Sequence, residues 1–476
     1  RDPMGATAHP DDAGPDERHW QLAMEGERFV DAKGRTVQLR GINLPCKLPH
    51  IPRTGQRTGH PSRPLAMRTW LEGGTVSGGG DFKDGDRCAV YDGVPSRDGL
   101  PETGGVGGGG GAGDGGDGCE GGEGGRETSD DGAHWDFFDG RSVSFVGRPF
   151  PLEDADEHLQ RLSSWGFNCL RLNVAWEAIE HAGPGEYDHA YIQYVRRLVE
   201  RAAAHGLWVY VDPHQDAWSR FTGGSGHPSW TLELLGMDVR KLVPCGAALL
   251  HQTWAGDKRQ FPRMVWPTNA FKYAAATMFT LFWAGDTYAP SFRVRGEPVQ
   301  AYLQRHYIGA FATLAAALRG LPNVLGFGTM NEPMPGFLGW EALDQLHAAC
   351  PLRSGHMPTP FEGMALASGC RVSVRTFSAS LYCMLTRRPL RLTALNPEGE
   401  SLWLPGHMCP WLQAGVWSRT AEGAAQLHAP GYFRGADFGK DFYLPFARSY
   451  AAAIRRALSP TQLCFVEMPP MDLKLC

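Results

Sequence analysis

The chain has 476 residues, of which 42% are hydrophobic, and it carries a formal net charge of -5 at pH 7. This balance allows a large core and gives no electrostatic reason to expect nucleic-acid binding. The longest apolar run, 274–285, is about half the length of a membrane span, so no transmembrane segment is predicted. The 11 cysteines form no Cys-x-x-Cys pair. They favour reduced thiols over a disulfide framework. No signal peptide opens the chain and no asparagine begins a glycosylation sequon, so an intracellular location, cytoplasmic or vacuolar, is predicted.

The N-terminal part of the chain predicts a short β-hairpin followed by the first strand of a larger sheet. Residues 1–20 are polar and are predicted to be disordered. Two short apolar runs joined by a Gly-containing turn follow at 28–39 and predict strand, turn and strand. The second run leads into a strand at 37–43, with Lys47 just beyond it. Lys47 is interpreted either as a site residue or as a solvated loop lysine.

Two long segments interrupt the regular pattern. Residues 73–131 consist mainly of Gly, Asp and Glu and cannot bury apolar surface, so we predict a disordered insert. Residues 336–440 are rich in Pro, Gly and Trp and are predicted to form a long irregular insertion. The protein is thus expected to be one domain over 21–476, with both insertions in loops.

The rest of the chain alternates between helical and extended patterns. Apolar residues recur at helical spacing in four stretches that end at or near a glycine or a loop: 152–165, 186–205, 301–319 and 441–458. Apolar runs typical of buried strands lie between them: 168–174, 207–212, 324–330 and 462–467. Strands that alternate with helices predict a parallel sheet. Polar residues at the ends of these strands favour a (β/α) barrel. A doubly wound sheet is the alternative, but it predicts a glycine-rich phosphate loop after the first strand, and GINLP at 41–45 is not one.

The stretch VLGFGTMNEP at 324–333 predicts a buried strand that delivers a carboxyl group to a pocket. Pro333 cannot continue a central strand, so Asn331 and Glu332 lie where the chain leaves the sheet. A carboxyl held at a rigid strand end near apolar groups suits a general acid. The alternative is a strand-end glutamate that forms an ion pair with a lysine.

Three motifs in order make the interpretation more specific. They are GFNCLRLNVAWEAIE at 166–180, VDPHQDAWSRFTGGSG at 211–226 and TMNEP at 329–333. Together they resemble glycoside hydrolase family 5, and within it the endoglycoceramidase-related branch that includes fungal steryl β-glucosidases. The resemblance covers roughly 20–70 and 134–470 without the glycine-rich insert. It implies a TIM (β/α)8 barrel and a retaining mechanism with two carboxyl groups.

The resemblance also implies roles for individual residues. Glu332 would be the catalytic acid/base, and Asn331 would bind the sugar 2-hydroxyl. Arg171 would lie under the nucleophile and keep it ionised. The other predicted substrate-binding residues are His214, Asp216, Lys47 and Trp218. Trp218, Phe221, Phe279, Phe282 and Trp283 are candidates for an apolar aglycone cleft, with core packing as the alternative for the last three.

The chain also departs from the family pattern. Only strands one to five are found, and strands six to eight with the nucleophile glutamate have no counterpart. Glu467 ends the fifth strand and is not assigned as the nucleophile. An incomplete barrel leaves exposed strand edges. We therefore expect negligible glycosidase activity from this chain alone.

The predicted function is hydrolysis of the β-glucosidic bond of a glycolipid, a steryl glucoside or glucosylceramide, with transient access to a membrane surface. The alternatives are a non-catalytic glycolipid-binding or regulatory fragment and a polysaccharide endoglucanase. No cofactor is expected, and the histidines show no spacing typical of metal ligands. The oligomeric state is not predicted.

Overall fold

The computed structural model describes residues 20, 22–49, 137–253, 261–262, 264–265, 267–346, 353–378, 386 and 388–470. The predicted insert at 73–131 lies outside these residues, and so does the predicted disordered N-terminus except for its last residue. That residue, Trp20, is buried and packs edge to face on Trp208 with ring centroids 5.3 Å apart. The prediction of disorder was therefore wrong at Trp20, because an aromatic pair fixes it against the sheet.

A five-stranded parallel sheet forms the centre of the described structure. The strands of the described residues are β1 Leu22–Glu25, β2 Arg28–Asp31, β3 Thr36–Val37, β4 Gly41–Leu44, β5 Cys169–Val174, β6 Trp208–Pro213, β7 Arg293–Val294, β8 Glu297–Pro298, β9 Val324–Gly328, β10 Gly355–Met357, β11 Val372–Phe377, β12 Arg391–Leu395, β13 Trp417–Arg419, β14 Ala425–Leu427 and β15 Leu463–Phe465. The central sheet has the order β4-β5-β6-β9-β15, and each of its strands is parallel to its neighbour.

The strand order distinguishes between the two predicted architectures. The central strands follow one another in chain order, whereas a doubly wound sheet reverses its order at a switch point. Sequential parallel strands with helical crossovers are the arrangement of a TIM barrel wall. In the described part of the chain, β4 and β15 each have one neighbour in this sheet. The predicted positions of all five strands agree with the structure to within a few residues.

Helices connect the strands and cover the sheet. The helices of the described residues are α1 Leu152–Ser164, α2 Trp176–Glu180, α3 His189–Ala204, α4 Trp230–Glu233, α5 Tyr273–Tyr288, α6 Val299–Ala317, α7 Pro360–Ala367, α8 Pro410–Gln413 and α9 Leu444–Ala457, with a 3-10 turn at Arg220–Thr222 and a π-helical turn at Phe438–Tyr443. None of them is long and apolar enough to cross a membrane.

Helix α6 illustrates why the sequence forms this core. Its buried residues Tyr302, Tyr307 and Phe311 recur at helical spacing and pack against α5, α9 and α2. Helix α5 is buried along almost its whole length, which accounts for the apolar run at 274–285. This run is a core helix, as its length suggested.

The segment 336–440 is more regular than predicted. It contains α7, an antiparallel sheet of β10, β11 and β12, and a β13–β14 hairpin. The prediction of an irregular insertion was wrong in this respect. The strands are short, and the exposed side chains in β12 break the alternating pattern that would have shown them.

Candidate active site

Polar side chains gather where the strands of the central sheet end. The carboxyl ends of parallel strands meet at one edge, so residues far apart in the chain become neighbours there. The residues linked at this edge are Lys47, Arg171, Asn173, Tyr210, Asp212, His214, Gln215, Asp216, Asn331, Glu332 and Glu467. Every predicted site residue except Trp218 belongs to this group.

Arg171 lies at the centre of the group. One of its terminal nitrogens donates to Asn331 Oδ1 at 2.8 Å and to Glu467 Oε1 at 2.7 Å. The same nitrogen lies 3.2 Å from Asp212 Oδ2, which is fully buried. A guanidinium with several fixed donors suits this bridging role. Arg171 therefore connects β5 with the ends of β6, β9 and β15.

His214 is held between two carboxylates. Its Nδ1 lies 2.8 Å from Asp212 Oδ2, and its Nε2 lies 3.3 Å from Asp216 Oδ2. Burial lowers the pKa of His214, but the hydrogen bonds to Asp212 and Asp216 outweigh it, so the pKa lies above its ordinary value. The imidazolium form is thus favoured.

Asp216 links His214 to the exposed rim of the site. Lys47 Nζ donates to Asp216 Oδ2 at 2.9 Å, with Lys47 still 42% exposed. Burial raises the pKa of Asp216, but His214 and Lys47 outweigh it, so the pKa lies well below its ordinary value. Asp216 is therefore an ionised acceptor next to a partly exposed ammonium group.

Asn331 is buried and has a fixed orientation. Its Oδ1 accepts from Arg171, and its Nδ2 donates to the backbone oxygen of Gln215 at 2.8 Å. Its backbone amide donates to Pro213 O at 2.9 Å, which joins it to the end of β6. An amide nitrogen has two hydrogens, and the second hydrogen of Asn331 Nδ2 makes no hydrogen bond to another described residue.

Glu332 differs from these residues because its carboxyl group makes no hydrogen bond to another described residue. The residue is partly exposed and has a φ of 43°, in the left-handed region that glutamate rarely adopts. Burial raises the pKa of Glu332, and the Asp216 carboxylate raises it further, against the opposing effects of His214 and Lys47. The protonated form that a general acid needs is thereby favoured.

Glu467 contributes more to the site than its sequence position indicated. Tyr210 donates from its hydroxyl to Glu467 Oε1 at 3.1 Å, and the backbone amide of Glu332 donates to Oε2 at 3.2 Å. Gly328 makes room for this contact, since a Cβ there would lie 2.5 Å from the Tyr210 hydroxyl. The glycine in the NEP-containing strand thus has a packing role.

Gln215, Asp212 and Tyr210 were not predicted as site residues. Gln215 lies inside the PHQD motif, but its side chain is neither an acid, a base nor a nucleophile, so the sequence gives no signal that it belongs to the site. Asp212 is a carboxylate at a strand end, which is a usable signal. Tyr210 reads as an ordinary residue of β6, and only the register shows its role, since it lies beside Arg171 on β5.

Trp218 does not line an open cleft. It is fully buried, stacks on His227 with ring centroids 3.9 Å apart, and donates from Nε1 to Thr231. The other candidates for an aglycone cleft are also fully buried: Phe221, Phe279, Phe282 and Trp283. The predicted cleft was wrong for Trp218 and Phe221, and the core interpretation holds for the remaining three. The apolar contacts of the core take up these rings.

The group as a whole offers acid catalysis and polar recognition. The Glu332 carboxyl group makes no hydrogen bond to another described residue and has a raised pKa, and it stands beside the Asp216 carboxylate, the Lys47 ammonium group, the His214 ring and the Asn331 amide. No cluster of three or more His, Cys, Asp or Glu side chains within the described residues could hold a metal ion. The arrangement thus combines one candidate acid with several polar donors and acceptors at the same edge of the sheet.

Comparison with known proteins identifies the family. Residues 130–350 match the model described as Cellulase (glycosyl hydrolase family 5). The chain thus contains a glycosyl hydrolase family 5 domain at residues 130–350. This confirms the resemblance found in the motifs.

Two curated members of this group show the range of relatives. The chain is 43% identical over 338 residues to a glucosylceramidase of Rhizopus delemar, which covers 70% of this chain and 49% of that protein. It is 34% identical over 376 residues to an ergosteryl-beta-glucosidase of Saccharomyces cerevisiae, which covers 71% of this chain and 49% of that one. The chain thus spans about half the length of the curated relatives it matches.

A solved structure supports the fold. The crystal structure of Cryptococcus neoformans sterylglucosidase 1 is similar with a TM-score of 0.70 and 28% sequence identity, over 95% of this chain and 57% of that chain. The family 5 barrel type is therefore shown for this chain, with its parallel sheet of five strands.

Proposed function

We propose that the site at the strand ends belongs to a retaining β-glucosidase that acts on glycolipids, with Glu332 as the acid/base. The observation that carries the proposal is the environment of the Glu332 carboxyl group and its effect on the pKa. This carboxyl group makes no hydrogen bond to another described residue, and its pKa is raised by burial and by Asp216. In a retaining mechanism this group protonates the glycosidic oxygen as the bond to the leaving group breaks, and it later removes a proton from water.

We assign the surrounding residues to the sugar. The free donor of Asn331 suits the 2-hydroxyl group, whose hydrogen bond strengthens in the transition state. Asp216 and Lys47 suit the outer hydroxyl groups, as an acceptor and a donor at the exposed rim. His214 supports Asp216, and Arg171 fixes Asn331.

The second carboxylate of the mechanism is not assigned. Retaining enzymes need a nucleophile with its carboxyl group about 5 Å from the acid. The three other carboxylates of the group are Asp212, Asp216 and Glu467, and each is engaged by His214 or Arg171. We therefore propose that the 476-residue chain binds β-glucosides but hydrolyses them slowly or not at all.

A glycolipid substrate is favoured by the relatives. The names of the two curated relatives specify a glucosylceramide-type and an ergosteryl glucoside substrate, so the shared feature is a β-glucoside of a membrane lipid. The choice between sterol and ceramide stays open, since the described residues form no aglycone cleft at Trp218. Transient access to a membrane surface and an intracellular location stay predictions.

Two alternatives from the sequence remain as outcomes of the test. The first alternative, a polysaccharide endoglucanase, agrees with the word Cellulase in the description of the matched family model. It predicts binding of cello-oligosaccharides in preference to simple aryl β-glucosides. A non-catalytic glycolipid-binding fragment predicts binding without any contribution of Glu332 to catalysis.

Calorimetry on the purified chain tests the proposal, with phenyl β-glucoside, phenyl α-glucoside and cellotriose as ligands. We expect the β-glucoside to bind, and Asn331→Ala and Lys47→Met each to weaken it about tenfold. Arg305→Leu, which removes a surface ion pair with Glu297, is the control and should not change the affinity. Equal affinity for both anomers would overturn the proposal. Turnover of the β-glucoside that Glu332→Gln abolishes would support Glu332 and overturn the expected inactivity.

A further inference from the structure

The peptide bond between Asn331 and Glu332 is held on both sides. Its carbonyl oxygen, on Asn331, accepts from Gln215 Nε2 at 2.8 Å. Its amide, on Glu332, donates to Glu467 Oε2 at 3.2 Å. The next carbonyl, that of Glu332, accepts from the same Gln215 Nε2 at 3.0 Å. Since an amide nitrogen has two hydrogens, Gln215 can make both bonds at once.

The backbone at this position needs such support. Glu332 has a φ of 43°, and the left-handed region is unfavourable for a residue with a Cβ. Strained backbone of this kind persists only where the surroundings determine it. Glu332 therefore adopts this conformation because its neighbours hold it.

Both supporting side chains are themselves fixed. Gln215 is 2% exposed, and its Oε1 accepts from the Trp218 amide at 3.1 Å, which sets the orientation of its amide group. Its backbone oxygen accepts from the Asn331 side chain. Glu467 is held by Arg171 at 2.7 Å and by the Tyr210 hydroxyl at 3.1 Å.

We propose that Gln215 and Glu467 are positioning residues that clamp the Asn331–Glu332 peptide and so direct the Glu332 carboxyl group into the site. Neither residue needs to touch the substrate. The clamp reaches Glu332 from the two strands that flank β9, with Gln215 after β6 and Glu467 after β15. The fully buried Trp218 contributes through its backbone, because its left-handed φ of 77° belongs to the turn that carries Gln215.

Glu467 has a second effect on Glu332. Its charge is one of the contributions that raise the pKa of Glu332, after burial and Asp216. Glu467→Gln keeps an oxygen acceptor for the Glu332 amide but removes the charge, whereas Glu467→Leu removes both. The two variants therefore separate the geometric effect from the electrostatic one.

The test uses variants of the full 476-residue chain and two measurements that do not depend on turnover. The first is the titration of the Glu332 carboxyl carbon by NMR, assigned by its loss in Glu332→Gln. The second is the affinity for phenyl β-glucoside. The matched control is Gln304→Met, since Gln304 also donates from a partly buried amide to a backbone oxygen, that of Phe282 at 2.8 Å.

We expect Gln215→Met and Glu467→Leu to lower the pKa of Glu332 and to weaken glucoside binding about tenfold. Glu467→Gln should lower the pKa but retain most of the affinity. Gln304→Met should change neither quantity, although it lowers the unfolding temperature. Gln215→Met and Glu467→Leu chains that unfold at a lower temperature, yet keep the wild-type pKa and affinity, would overturn the proposal.

The inference rests on the proposed function only in the role that it gives to Glu332. If the wild-type chain binds no β-glucoside but the pKa of Glu332 still shifts in both variants, the clamp stands and the proposed function fails. If glucoside binds and the pKa stays constant in all variants, the proposed function stands and the clamp fails.

Discussion

The backbone amide of Glu332 donates a 3.2 Å hydrogen bond to a carboxylate oxygen of Glu467. The bond joins the loop after β9 to the end of β15, the neighbouring strand. Glu467 also accepts hydrogen bonds from Arg171 on β5 and Tyr210 on β6, so four strands are connected through this carboxylate. The candidate acid is thus held by the sheet itself, and substitutions in this network should act on stability and on the site together.

Arg171 should be the most costly polar residue to remove. Arg171→Leu leaves the carboxylate of Glu467 without its cation and removes one of the two basic partners of the fully buried Asp212, the other being His214. Breaking such a pair costs about 3 kcal/mol in the free energy of unfolding. Urea denaturation measures it, and Arg305→Leu, which removes an exposed pair with Glu297, should cost about 1 kcal/mol or less. Equal costs would show that the network is not buried as described.

The stability contributed by His214 should depend on pH in one direction. Asp212 and Asp216 raise the pKa of His214 against the effect of burial. Its contribution is fully present below the unfolded pKa of about 6.5 and is lost as pH rises through the folded pKa. The difference in the free energy of unfolding between the wild type and His214→Gln should therefore shrink above about pH 6.5.

A second histidine supplies the control for this pH dependence. Burial lowers the pKa of His227 to about 3. A lowered pKa gives a contribution that is present above about pH 6.5 and is lost as pH falls. The difference between the wild type and His227→Phe should thus change in the opposite direction. The same slope for both histidines would contradict the environments described for them.

Trp218 should behave as a core residue. It is fully buried and packs on His227, so Trp218→Ala should cost about 3–5 kcal/mol in the free energy of unfolding. Trp165, which is 45% exposed, is the control, and its substitution by alanine should cost about 1 kcal/mol or less. If Trp218→Ala lowered the free energy of unfolding by about 1 kcal/mol or less, the core position would be contradicted and the predicted cleft position favoured.

The backbone strain at Glu332 should appear as a difference between two substitutions. Glycine adopts a φ of 43° readily, whereas alanine does not, so Glu332→Gly should be more stable than Glu332→Ala by about 1 kcal/mol. Glu341 is the control, because it is exposed and its backbone is not left-handed. Glu341→Gly should therefore be no more stable than Glu341→Ala. Thermal unfolding of the four chains measures both differences.

The strands and the main site residues could be predicted because their patterns are local. Apolar runs that end in polar residues mark β5, β6 and β9, and parallel order then brings Arg171, His214 and Glu332 to one edge. The roles of Gln215 and Glu467 depend on contacts with a backbone peptide that lies far away in the chain. No local pattern contains that information.

Trp218 shows the opposite failure. An aromatic residue just after a strand end has the same sequence pattern whether it faces a cleft or the core. The buried ring of Trp218 follows a backbone with two consecutive left-handed residues, Ala217 and Trp218, and such a pair without glycine could not be expected from the sequence. The short strands of 336–440 were missed for a similar reason, since their pairing is set by partners rather than by periodicity.

The titration of the Glu332 carboxyl group, with and without phenyl β-glucoside, tests the central claim most directly. We predict a pKa above the ordinary glutamate value of 4.5 in the free chain. We also predict that the signal shifts on addition of the β-glucoside but not of the α-anomer. A pKa at or below 4.5, together with a signal that neither anomer moves, would contradict the assignment of Glu332 as the acid of a β-glucoside site.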